Sequence, residues 1–308
     1  MAVTDREMTS TTHDAFAPIE WADDTKDAIE YAQVVATLVN TQYESQLRIG
    51  KTVRVPLRAN YNTQTKTQGV SNTITFQSQP GSEGLATAGD TSANWQDFTV
   101  STFEYAAALI NQVVDAQSKY NERQRISKGL GYALARGIEV SLTALPQSFS
   151  QITGTYGADV DDSILRRSWQ YLADAGVTDG AAWVFSPAAV ASIFGNDKFT
   201  SKDFVSASSV LESATLPSIL GYPVYRSNLL RAPAAGQSDS FLLHKDAIVL
   251  IRQVMPTVRE QFLIRNLSDG IVAFDLYTAA EALWVAEAPA GDNDPTTGDY
   301  GAVLVRTA

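Results

Sequence analysis

Ile126, Leu130, Leu134, Ile138 and Leu142 form an unbroken i, i+4 ladder, so this chain must organise its core along one long helix. The helix is expected over 118–146, with Pro146 marking its end. Gly129, Gly131 and Gly137 interrupt the ladder, each costing about 1 kcal/mol relative to Ala. Glycines in such a helix predict a bend or a close approach by a neighbour.

The segments around this axis differ in pattern. Ala28, Ile29, Ala32, Val35, Leu38 and Val39 recur at helical spacing, which predicts a helix over about Asp24 to Gln46, capped by Asp23 or Asp24. Residues 1–20 show no such periodicity and are expected to be extended or mobile. Val53, Val55 and Leu57 alternate with Thr52, Arg54 and Pro56, which is strand spacing. From Asn60 to Trp95 the chain is rich in Thr, Gln, Gly, Ser and Asn, and "FTVSTFEYAAALINQVV" then returns as apolar, β-prone sequence. Two strands framing so long a polar excursion predict an extended hairpin projecting from the body, either functional in itself or docked on a partner.

Beyond the long helix, residues 157–235 read as a small α/β unit. "DDSILRRSWQYLADAG" is a capped helix stopped by Gly176. "AAWVFSP" is a buried strand, with Ser186 as N-cap and Pro187 at the first position of the next helix. "LPSILGYPVYRSN" reads as a helical turn, a bend at Gly221 and a strand. The strands after it include a hairpin about Ser268, Asp269 and Gly270. The chain leaves a β-rich base before residue 120 and returns to it after 250, so the small unit is expected to be an insertion.

Hydrophobic residues make up 44% of the 308 positions, enough for one large core or two modest ones. There is no Cys, which excludes disulfides and thiolate metal sites. His13 and His244 are the only histidines, too few for a multi-histidine centre. The first residues lack the apolar core of a signal peptide, and "AIVLI" is far shorter than a membrane span. A soluble protein made in the cytoplasm is expected.

The net charge of −11 disfavours a general nucleic-acid binder, because phosphates require Lys and Arg. It is unevenly spread: residues 1–30 carry a net −6 and residues 119–139 a net +3. An acidic arm and a basic helix can attract each other between copies.

No enzyme chemistry emerges. "SKGLGYALARG" lacks GxGxxG spacing and sits within a helix. "DNDPTTGDY" places Gly298 one position late for a calcium loop and has no closing Glu. Asp161 and Asp162 read as helix caps, and His244 as a turn residue with no nucleophile in an interpretable relation to it. Trp169, Trp183 and Tyr225 read as core. Neither catalytic, metal nor cofactor-binding residues are expected.

Four stretches carry a resemblance when taken in order: "IGKTVRVP", "DAQSKYNERQRISKGLGYALARGIEVSLTAL", "VFSPAAVASIFGNDKF" and "LPSILGYPVYRSNLLRAP". Together they resemble the major capsid proteins of tailed bacteriophages, whose Hong Kong 97-type fold is shared with encapsulin shells. The resemblance implies an α+β fold with an N-terminal arm and helix at 1–48 and an extended loop at 49–105. It implies a peripheral domain at 106–156 and 246–308, with the spine helix at 118–146, and an axial α/β domain at 157–245. The implied function is a structural subunit that self-assembles, as pentamers and hexamers, into an icosahedral shell around phage double-stranded DNA. A separate scaffolding protein is an implied partner, because no charged helical extension precedes the body; the resemblance also implies a portal and allows a decoration or cement protein. Lys51, Arg54, Arg58, Lys66, Glu83, Arg123, Arg125, Lys128, Arg259 and Glu260 are the implied contacts between copies. Lys66 alone stands at the loop's centre, without an identified partner for a covalent cross-link. Two alternatives remain: an encapsulin-like compartment, and a hydrolase built on Asp161 or Asp275.

Overall fold

Glu139, on the long helix, is fully buried and receives three backbone N–H groups from a segment about a hundred residues upstream. That contact ties residues 34–36 to the long helix. The computed structural model describes residues 33–47, 49–56, 95–112, 122–196, 198, 218–285, 297–298 and 300–307, all within the unit Tyr31–Ala308.

In chain order the strands are β1 Thr52–Pro56, β2 Trp95–Thr99, β3 Thr102–Asn111, β4 Ile152–Gly154, β5 Ala181–Phe185, β6 Ser218–Ile219 and β7 Tyr222–Arg226. They continue with β8 Ser238–His244, β9 Ile248–Leu263, β10 Ser268–Glu281, β11 Trp284–Val285, β12 Thr297–Gly298 and β13 Ala302–Thr307. The α-helices are α1 Glu122–Ala144, α2 Asp162–Asp174 and α3 Pro187–Phe194.

A mixed six-stranded sheet runs in the order β4-β13-β8-β5-β7-β6. Its central strands are buried along nearly their whole length, because both faces are covered. Side chains alternate between two cores, as the pleat requires. Trp183, Phe185, Leu242, Val303 and Val305 pack with Leu165, Leu172, Val190 and Ile193 of α2 and α3. Val184, Phe241, Leu243 and Leu304 face the other way, onto Ile138 and Leu142 of α1 with Val35, Phe149, Ile248 and Tyr277. Burial on this scale contributes about 25 cal/mol per Å² of apolar surface.

The local signals for this unit behave as their chemistry demands. Asp161 accepts from the Ile164 N–H at 3.0 Å and Ser186 accepts from the Ala189 N–H at 3.1 Å, so both helices start on side-chain caps. Gly176, at φ +80°, closes α2. The Trp183 indole donates to the Ile219 carbonyl at 3.1 Å. Tyr222 is buried and starts β7 directly after Gly221, at φ +86°.

The second sheet is antiparallel, in the order β3-β10-β9, and α1 packs along one face of it. Leu134, Ile138 and Leu142 of the ladder are buried, whereas Ile126 and Leu130 are half-buried, so the helix sinks toward its C-terminal end. The start of β9 is buried and belongs to both regions: Ile248 and Leu250 lie in the core beneath α1, Val249 and Ile251 in a third cluster. That cluster holds the antiparallel β1–β2 ribbon through Val53, Phe98 and Val100. β11 and β12 form a short two-stranded ribbon.

Several expectations are corrected. Residues 33–47 contain no α-helix; they form 3-10 turns at Val35–Thr37 and Glu44–Gln46. β-branched residues are poor helix formers, and here Glu139 takes the amides of Val34, Val35 and Ala36. Asn40 meanwhile bonds across to Ile248 and Leu250. The hairpin turns at 264–267, not at Ser268–Gly270, which open β10. Gly270 is a strand residue there, with Leu263 and Leu109 closing over it.

Ser218–Ile219 form a strand paired with β7 instead of a helical turn. Trp169 and Tyr225 are exposed, so neither is core. Only Gly137 of the three helix glycines meets a neighbour; a Cβ at Gly129 or Gly131 would meet open space. β13 and β4 belong to the six-stranded sheet, although 302–307 and 152–154 fall outside the span 157–245 expected for that unit. The arm at 1–20, most of the polar excursion and residues 286–296 lie outside the described residues.

Candidate assembly surface

Arg123 reaches from the first turn of α1 to the β9–β10 hairpin, where it pairs with both Glu260 and Asp269. Two residues expected to meet other copies thus meet each other within one chain. Arg54 likewise makes a two-pronged bond to Asp97, with both N···O distances 2.7 Å, directly across the β1–β2 ribbon. Its guanidinium also lies 4.9 Å from the Trp95 ring centroid. The hydrogen bond from Arg54 holds the Asp97 carboxyl below the usual carboxylate range.

Lys51, Arg125, Lys128 and Arg259 are exposed. Arg125 and Lys128 make contacts of their own. Lys51 and Arg259 form no ion pair among the described residues. Arg58, Lys66 and Glu83 lie outside the described residues.

The largest feature missed by the sequence reading is apolar. Along β3, Glu104, Ala106, Ala108 and Ile110 alternate with Phe103, Tyr105, Ala107 and Leu109. The second set faces away from α1, with Phe103 59%, Tyr105 69% and Leu109 57% exposed. Across the pleat, Ala107 opposes Val272, Tyr105 opposes Phe274 and Phe103 opposes Leu276. The Phe103 and Phe274 rings lie 5.9 Å apart. Leu109 and Leu263 meet over Gly270, and Ile264 and Leu267 extend the apolar surface at the hairpin tip. The sequence carried a signal for this: "TFEYAAALIN" places apolar residues on both faces of one strand. Contiguous exposed apolar surface of this kind marks an interaction site.

Polar groups collect instead beneath α1. Tyr277 donates to Glu104 Oε1 at 3.0 Å and exchanges a 2.8 Å hydrogen bond with Ser141. The Glu104 carboxyl occupies the space that a side chain at Gly137 would fill. Asp275 is wholly buried nearby. Burial, then the neighbouring Glu104, push its pKa up to about 6 against the pull of Arg252. Burial also pushes Tyr277 up to about 12.

Asp161, the other acid considered for hydrolysis, caps α2 and belongs to the six-stranded sheet's other face. The bond from Ser163 and the Ile164 amide lower its pKa. The two acids do not share a cleft. His244 ends β8, with its ring edge-on to Trp284 at 5.0 Å, and burial lowers its pKa. Among the described residues no three His, Cys, Asp or Glu side chains come together to hold a metal. No described helix is long and apolar enough to cross a membrane.

No family model matches the sequence, and no curated protein matches it. Solved structures do match, over nearly the whole chain. A structure of Mycobacterium phage Che8 aligns at TM-score 0.69 and 19% identity, covering 94% of this chain and 97% of that one. The capsid of cyanophage P-SCSP1u aligns at TM-score 0.71 and 12% identity, covering 100% and 97%. The head structure of Helicobacter pylori bacteriophage KHP40 aligns at TM-score 0.71 and 9% identity, covering 100% and 99%. The chain therefore has the α+β fold of phage capsid and head structures.

Proposed function

We propose that this chain is the structural subunit of a tailed-phage head, assembling with copies of itself into an icosahedral shell around double-stranded DNA. The observation that carries the reading is end-to-end likeness to capsid and head structures, in which both chains are covered almost completely. The exposed sheet face of Phe103, Tyr105 and Leu109 supports it, because a subunit that stayed alone would hold that surface in water.

In this reading α1 and the three-stranded sheet form the peripheral domain. The six-stranded sheet forms the axial domain around fivefold and sixfold centres, with β4 and β13 added to the span 157–245. The segment 49–105 is an extended loop laid over a neighbour, and β1–β2 is its base. Lys51 and Arg259 are the best placed of the charged residues to pair with another copy, since no partner within the described chain takes up their charge. Shell stability comes from many interfaces of this kind summed together. A separate scaffolding protein, a portal and a decoration protein complete the assembly. Its site is the virion, and its role is not enzymatic.

The test is to express the chain alone and with candidate scaffolding protein, then examine the products by electron microscopy. Closed shells are the expected product. Monomers under every condition would overturn the reading. Shells that form only around a protein cargo, never around DNA, would favour the encapsulin-like alternative.

A further inference from the structure

The seam between α1 and the three-stranded sheet contains two facing carboxyls. Asp275 of β10 and Glu104 of β3 are direct partners in the antiparallel register. Both lie on the face covered by α1. Glu104 is held there by the Tyr277 hydroxyl and fills the space left by Gly137. Asp275, two residues before Tyr277 on the same side of the strand, is completely buried, and neither of its side-chain oxygens has a hydrogen-bond partner among the described residues. A buried ionised carboxylate without a hydrogen bond is among the costliest groups a fold can hold.

The ladder to the neighbouring strand β9 is irregular at this point. The β10–β9 register shifts between Phe274 and Leu276 and again between Leu276 and Tyr277, so Asp275 sits at an irregularity in the ladder.

We infer that Asp275 and Glu104 form a proton-operated latch between the long helix and the three-stranded sheet. With a proton held on the pair the seam stays closed, and with both carboxyls ionised it loosens. The groups facing the pair leave little else to neutralise it. From β9 comes Arg252, but its guanidinium is bonded to Glu44 at 2.7 Å. From β10 comes Tyr277, a neutral donor whose bond goes to Glu104. From α1 come Ser141 and Gly137, neither of which titrates.

The direction follows by linkage. Burial and Glu104 raise the Asp275 pKa to about 6 in the folded chain, above the ordinary carboxylate range of the unfolded one. The folded state therefore binds the extra proton. Its contribution to stability is complete in acid, shrinks as pH rises out of the carboxylate range, and is lost above about 6. The latch is a property of the single chain, so it stands or falls independently of the shell reading.

The test uses the full chain and two readouts across about pH 4 to 8, the span that brackets ordinary and raised carboxylate values. Infrared difference spectra follow the protonated-carboxyl band. Hydrogen exchange by mass spectrometry follows peptides of β3, α1 and β10 after correction for intrinsic rates. One component of the band should titrate with a midpoint near 6, above the ordinary carboxyls, and exchange at the seam should rise at least about tenfold over the same interval. In Asp275→Asn both that component and the pH dependence of exchange near 6 should disappear. In Glu104→Gln, which removes the facing charge, the midpoint should move toward acid. A wild-type chain without a component titrating above the ordinary carboxyls would overturn the inference, as would an Asp275→Asn profile matching wild type. Should that variant fail to fold, an unchanged midpoint in Glu104→Gln would overturn it equally.

Discussion

Glu139 acts as a cap for a turn that is remote in sequence. Its Oε1 accepts from the Val34 and Val35 amides at 2.8 and 2.7 Å, and its Oε2 accepts from Ala36 at 3.0 Å. Replacing it by Ala strands those donors, one of them in a fully buried bond, and should cost about 3 kcal/mol in denaturant unfolding. Glu139→Gln keeps an oxygen for Val34 and Val35 but turns an amide toward Ala36, so about half that loss is expected. Equal losses in both variants would mean that charge, not hydrogen bonding, carries the contact. In the sequence Glu139 reads only as one of two acids against five bases in 119–139, because nothing local points to partners so far upstream. Asp161 is the contrast: its partner is three residues away, and the cap was legible from sequence. Asp161→Ala should cost about 1 kcal/mol at neutral pH. Because its folded pKa is lowered, the part of that advantage owed to the charge is present above the ordinary carboxylate range and is lost as pH falls below it. The difference between wild type and variant should therefore narrow in acid when urea midpoints are compared, the neutral carboxyl still accepting the Ile164 N–H.

Elements were legible where their signals are local and misread where distant partners decide. β5, Ser186, Pro187 and α3 follow from a buried apolar run, a cap and a proline in consecutive positions. The turn at 33–47 and the hairpin at 264–267 do not follow from local sequence. In the first, Glu139 and β9 claim the backbone amides. In the second, Leu109 and Leu263 need a strand glycine between them. The glycines of α1 divide on the same principle. Gly129 and Gly131 have helical neighbours and empty space beyond, so Ala at either should raise stability by about 0.5 to 1 kcal/mol through lost chain entropy. Gly137→Ala would push its methyl into the Glu104 carboxyl, which Tyr277 holds in place, and the gain should be absent or reversed. Thermal unfolding of the three variants decides this. A uniform gain would show that Glu104 moves aside freely.

At the scale of the molecule, the ladder of α1 correctly indicated where the core runs, yet not that two sheets share it. Val184 and Phe241 of one sheet and Tyr277 of the other meet Leu142 in a single cluster. Alternation along each strand reveals which residues share a face, but not what covers that face. β3 makes the point, because its two faces are nearly equally apolar in sequence and only one is buried by α1. If the other face is buried between copies, charge placed on it should separate folding from assembly. Phe103→Asp and Leu109→Asp replace side chains that are more than half exposed in the single chain, so each should cost only about 1 kcal/mol of unfolding free energy, from the lost cross-strand contact and the poor strand propensity of Asp. In an interface the same carboxylate would be desolvated without a partner, at a cost of several kcal/mol repeated at every copy. Sedimentation of each variant, alone and with candidate scaffolding protein, should therefore show folded subunits in place of shells, and Lys51→Ala should be much milder because a rim charge contributes little. Shells formed normally by both Asp variants would mean that this face stays in water in the assembled particle.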